Sequence, residues 1–152
     1  MKKIFYLLII LLCIGFFSPS FAQADISITE IMYDADGTDT EREWLEVYNS
    51  GPNPVDLASW YFFSDNTKHT LVPISSGIIG VGEYGVIVQN VDNFKIDWPD
   101  FTGLIYDSSW TGFNNTGEAI ALKDPDLNLV GSVTFSSSGG GNGDGHTLQK
   151  IG

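Results

Sequence analysis

From residue 26 onward no stretch of this chain keeps a helical period of useful length. What recurs is short runs of β-branched and aromatic residues, each cut off by Gly, Pro, Asn or Asp. Eight runs read as strands: Ile26–Met32, Glu43–Tyr48, Trp60–Phe63, His69–Val72, Tyr84–Gln89, Ala119–Lys123, Leu129–Phe135 and Thr147–Ile151. Breaks between them fall at residues 49–52, 80–82, 114–117 and 124–126. Many short strands separated by turn signals predict an all-β sandwich or barrel. Residues 90–118 read as one long irregular connection holding Trp98, Phe101, Tyr106, Trp110 and Phe113. Those rings are expected to tie the connection onto the sheet; a ligand platform is the competing reading.

The chain opens differently. Lys2 and Lys3 precede an apolar run from Ile4 to Phe17, and Ala22-Gln23-Ala24 follows as a small-x-small step. That is the layout of a cleavable secretory signal peptide over residues 1–24. The 14-residue apolar run falls short of the ~20 residues that span a bilayer, so membrane contact is expected only during export. Cleavage after Ala24 leaves one domain, residues 25–152. Cys13 departs with the leader, which removes disulfides, cysteine zinc sites and a cysteine nucleophile from consideration. Nineteen acids then face five bases (Arg42, Lys68, Lys95, Lys123 and Lys150), a net charge of −14. Such a body repels a phosphate backbone, so nucleic-acid binding on its own is not expected. The glycine-rich stretch 136–145, a last strand and an immediate end at Gly152 point to a sequence that continues in the intact protein.

Alternation assigns faces. Leu45 and Val47 share one side of their strand, while Trp44, Glu46 and Tyr48 share the other. Glu30 falls on the row of Ile26, Ile28 and Met32. A bare buried carboxylate is very costly, so either a bulge re-aims Glu30 or it accepts hydrogen bonds from a neighbouring loop.

Residues 28–33 (Ile-Thr-Glu-Ile-Met-Tyr), a Gly-containing spacer and residues 43–49 (Glu-Trp-Leu-Glu-Val-Tyr-Asn) look like the opening of a bacterial lamin tail domain. Residues 54–60 (Pro-Val-Asp-Leu-Ala-Ser-Trp) match its next step, with Ser59 where Gly is usual. Residues 82–88, 113–124 and 143–150 resemble its later strands, all in order over about 26–151. The resemblance implies an immunoglobulin-like β-sandwich. It implies a secreted or surface module of the kind often attached to nucleases, other hydrolases or cell-wall parts, and it brings no catalytic residues.

The best candidate site is residues 34–41, where Asp34, Asp36, Asp39 and Glu41 place four carboxylates around Gly37. Calcium takes six to eight hard oxygen ligands, and such a loop supplies several. The spacing is not that of an EF-hand, and the competing reading is a plain turn. Asp124, Asp126 and Asn128 read as a hairpin turn. His69 and His146 pair with nothing the sequence can name, and no nucleophile elbow or His-Glu-x-x-His pair occurs. Glu43 and Glu46 fall on opposite faces, so they cannot flank one glycosidic bond.

The expected function is therefore a secreted or cell-surface, non-enzymatic module that binds a protein or a surface polymer. An aromatic patch at Trp98, Trp110 and Phe113 is expected as one contact surface. The alternative is a calcium-stabilised accessory domain of a larger extracellular hydrolase such as a nuclease.

Overall fold

The computed structural model describes residues 25–75 and 77–151; the expected leader, residues 1–24, lies outside them. In chain order the elements are β1 (Ile26–Met32), β2 (Trp44–Asn49), β3 (Val55–Asp56), β4 (Tyr61–Ser64), β5 (Thr67–Thr70), β6 (Val72–Pro73), β7 (Ile78–Ile79), β8 (Tyr84–Val88), α1 (Val91–Asp97), β9 (Leu104–Asp107), β10 (Ala119–Lys123), β11 (Leu129–Thr134) and β12 (Leu148–Gln149). They form a six-stranded sheet in the order β12-β1-β2-β8-β9-β6, a four-stranded sheet in the order β11-β10-β4-β5, and a small β3-β7 pair. The chain is an immunoglobulin-like β-sandwich.

Alternation builds its core. Leu45 and Val47 of β2 join Ile26, Ile28, Ile87 and Tyr106 from the six-stranded sheet, and these meet Phe62, Ile120 and Leu122 from the other. Trp44 points the opposite way, as its register position requires. There it packs with Met32, Val86, Val88 and Ile105 beneath Phe94 of α1. The six-stranded sheet is thus covered on both faces at one end, which explains why Val86, Ile87 and Val88 run apolar without alternation.

Several elements depart from the sequence expectation. The connection 90–118 contains α1 and β9, and β9 pairs parallel with β8. A parallel pair needs a crossover, and α1 supplies it. Asn90 starts that helix, its side chain accepting from the backbone N–H of Asp92 (3.0 Å) and Asn93 (3.1 Å). Another departure is β5, which begins at Thr67 rather than His69. Asp65 (φ 46°) and Asn66 (φ 65°) make a two-residue hairpin of left-handed backbone, and both residue types tolerate it. Leu71, buried, then carries the chain across to β6 in the other sheet.

The last strand is shorter than expected. Only Leu148 and Gln149 pair with β1, opposite Ile31 and Glu30, and the Lys150 N–H reaches the Thr29 carbonyl at 2.8 Å.

Candidate functional site

The loop between β1 and β2 folds around a cation of the protein's own. Arg42 Nη1 donates to the carbonyls of Asp36 (2.9 Å) and Thr38 (2.8 Å). Its Nε and Nη2 grip the two carboxylate oxygens of Asp97 at the end of α1, at 2.7 and 3.1 Å. Two of the loop's four acids are held by side-chain amides. Asp39 accepts from the Asn115 side chain at 3.1 Å, and Glu41 accepts from Asn90 at 3.2 Å. Asp34 turns towards the glycine-rich stretch near Asp144; burial, then Asp39 and Asp144, push its carboxyl above the ordinary range. Among the described residues no group of three or more His, Cys, Asp or Glu side chains is arranged to hold a metal ion. Arg42 gathers the loop's carbonyls, and neighbouring amides take Asp39 and Glu41, two of the four carboxylates that the sequence offers with Asp34 and Asp36 as calcium ligands.

The chemically unusual group lies one residue further on. Glu43 is 3% exposed. Its Oε2 accepts from the Phe113 N–H at 2.6 Å and from Trp110 Nε1 at 3.3 Å. Burial raises its pKa to about 8; the two donors pull it down, and Asp39 and Glu118 add to the rise. Gly112 closes over it in left-handed backbone (φ 114°), where a Cβ would sit 3.3 Å from Oε1. Glu43 therefore fastens residues 110–113 across the end of the sandwich. For Glu30 the sequence allows a re-aiming bulge or hydrogen bonds from a neighbouring loop. The buried carboxylate that accepts a backbone N–H is Glu43, whose position ahead of β2 puts it on the core side with Leu45. Glu30 is re-aimed by a register shift between Ile28 and Glu30 and accepts from the Thr147 hydroxyl. Glu46 faces the opposite way from Glu43, as alternation requires, and accepts from Thr29 Oγ1 at 2.7 Å.

The family model for the lamin tail domain matches residues 19–137. The chain belongs to the lamin tail domain family. No curated protein matches it. The segments that carried the resemblance now have structural roles in this lamin tail domain. Asn49 is fully buried, and its amide donates to the carbonyls of Asn53 (2.9 Å) and Ile79 (3.1 Å) while its Oδ1 accepts from the Gly51 N–H. Asp56 caps the short turn at Leu57–Ser59, which drives Leu57 and Trp60 into the core.

The aromatic connection divides. Tyr106, Trp110 and Phe113 are buried core residues, as expected of rings that tie the segment down. The open patch expected at Trp98, Trp110 and Phe113 does not exist. Phe62 meets Trp110 and Phe113 edge-on, with ring centres 5.1 and 6.0 Å away, and only Trp98 of the three is exposed. His69 lies against Phe62, ring centres 5.3 Å apart, and lines a polar cleft of about 510 Å³ with Ser64, Asp65 and Glu118. Glu118 is already committed there to Ser64 Oγ (2.7 Å) and the Asn114 N–H (2.8 Å). His146 stands apart, exposed beside Asp144. The Asp124–Asn128 segment is the turn its sequence predicts, with both Asp124 oxygens accepting from Asn128.

Proposed function

We propose that this lamin tail domain is a secreted, non-enzymatic module that attaches to another protein or to a cell-surface polymer. The observation that carries the reading is the commitment of Glu43. The carboxyl best suited by burial and pKa to act as a general acid is sealed under Gly112 and held by Phe113 and Trp110. Glu118 is tied to the backbone, and the two histidines lie on different parts of the surface. With its titratable groups serving the fold, the domain's remaining resource is surface. The leader-like residues 1–24 support export.

Two assays test this. The purified protein is expected to co-sediment with envelopes of the producing cell and to show no turnover of ester, phosphodiester or glycoside substrates. Activity that follows the protein through purification and disappears in Glu118→Gln would replace the reading with a hydrolase. Failure to sediment with any envelope fraction would remove the attachment role.

A further inference from the structure

The outer face of the four-stranded sheet is chemically unlike the rest of the molecule. Strands β11, β10, β4 and β5 contain no Asp or Glu, in a chain with 19 acids. They hold Lys68 and Lys123, two of the five bases that follow Ala24. Phe62, Ile120 and Leu122 are on the core side. Their strand neighbours Tyr61, Phe63, Ala121 and Lys123 therefore stand on the outer side. Phe63 pairs across with Lys68, and Tyr61 with Lys123. Each ammonium then crosses to the other ring. Lys68 Nζ lies 3.8 Å from the Tyr61 ring centre, and Lys123 Nζ lies 4.3 Å from that of Phe63. Neither lysine has a carboxylate partner: the ion pairs among the described residues are Arg42–Asp97 and His146–Asp144.

Two ammoniums resting on two rings, with no carboxylate in ion-pair reach, make a positive spot. Contacts of this kind at exposed sites are weak, so a better anion displaces them readily. A carboxylate draws the ammoniums off, and the faces of Tyr61 and Phe63 are then free to take a flat apolar surface. The exposed hydroxyls of Thr70, Ser132 and Thr134 border the same face. A carboxylated sugar presents all three complements: an anion, a C–H face and hydroxyls. A run of acidic residues offers the anion without a flat ring face that carries hydroxyls beside it. Nucleic acid places one charge every ~1.7 Å along the duplex, far more than two lysines on a −14 body can balance. Repulsion of a sparser polyanion by the distant acids fades over the Debye length, about 8 Å at physiological salt.

We propose that the outer face of the four-stranded sheet, through Lys68, Lys123, Tyr61 and Phe63, binds a carboxylated polysaccharide of the uronic-acid kind. This rests on the attachment reading above and names its ligand class. The test is native electrophoresis of the purified protein through gels containing polygalacturonate, dextran or poly-glutamate. Polygalacturonate is expected to retard the protein and dextran to leave it unchanged. The double variant Lys68→Gln/Lys123→Gln is expected to lose about tenfold in affinity while still melting in one cooperative transition. Equal retardation of the double variant, no retardation by polygalacturonate, or retardation by poly-glutamate alone would each overturn the proposal, the last in favour of an acidic protein partner. Envelope sedimentation separates the two levels. If wild type and double variant sediment alike, attachment stands and this face is not its surface; if neither sediments, attachment itself fails.

Discussion

Glu43 shows how one residue can be decided by its neighbours across the fold. Its pKa stands at about 8 in the native state against an ordinary 4.5, so the folded protein keeps a proton that the unfolded chain has already lost. Stabilisation from that bound proton is complete below pH 4.5 and is lost as pH rises through about 8. Chemical denaturation across this window is expected to show wild-type stability declining relative to Glu43→Gln, which has no proton to lose. A constant difference between the two proteins would mean that Glu43 is ionised throughout. Asp34 makes a second residue-level case. Its crowding by Asp39 and Asp144 resembles the start of a cation site, yet Asp39 and Glu41 are held by Asn115 and Asn90. Millimolar calcium is therefore expected to leave the melting temperature within about 2 °C of its value in chelator, where a bound ion at saturation shifts it more. A rise of several degrees, abolished by Asp34→Asn, would show that the loop closes on the ion. Four carboxylates in eight residues were plain in the sequence; the role of Arg42 as their organiser was not, because half of its grip comes from Asp97, 55 residues away.

At the scale of elements, the strands were legible where side chains alternate or where turn residues bound them. β1 and β10 match their predicted limits, and β2, β4, β8 and β11 match within about a residue. The hidden elements were α1, β9 and the two-residue strands β3 and β7. The seven-residue α1 buries only Phe94, so it leaves no repeating apolar stripe to detect. β9 holds four residues and owes its place to a parallel neighbour that sequence cannot indicate. What holds α1 is therefore its cap and the Arg42–Asp97 contact. Replacing Asn90 by Ala is expected to lower stability by about 1 kcal/mol in denaturant titration, since two N–H groups lose their acceptor. No measurable change would mean that packing of Phe94 alone fixes the helix. Core truncation provides the contrast. Phe62→Ala removes a fully buried ring wedged among Trp110, Phe113 and His69, and a loss of about 3–5 kcal/mol is expected by the same titration.

Over the whole molecule the governing quantity is charge. Nineteen acids against five bases after Ala24 repel one another more strongly in the compact state than in the open chain. Raising sodium chloride from about 0.01 M to about 0.15 M shortens the screening length from roughly 30 to 8 Å, and the melting temperature is expected to rise with it. A flat or falling response would show that local ion pairs outweigh the global repulsion. The sequence by itself determined the all-β class, the main strands, the sandwich family and the acidic balance, since these follow from period, turn chemistry and composition carried by neighbouring residues. Only the tertiary structure decided which carboxylate is buried, where the loop acids point, which aromatics stay open and that two lysines share an acid-free face. Each of those depends on contacts between segments far apart in the chain, and burial and electrostatics act through space.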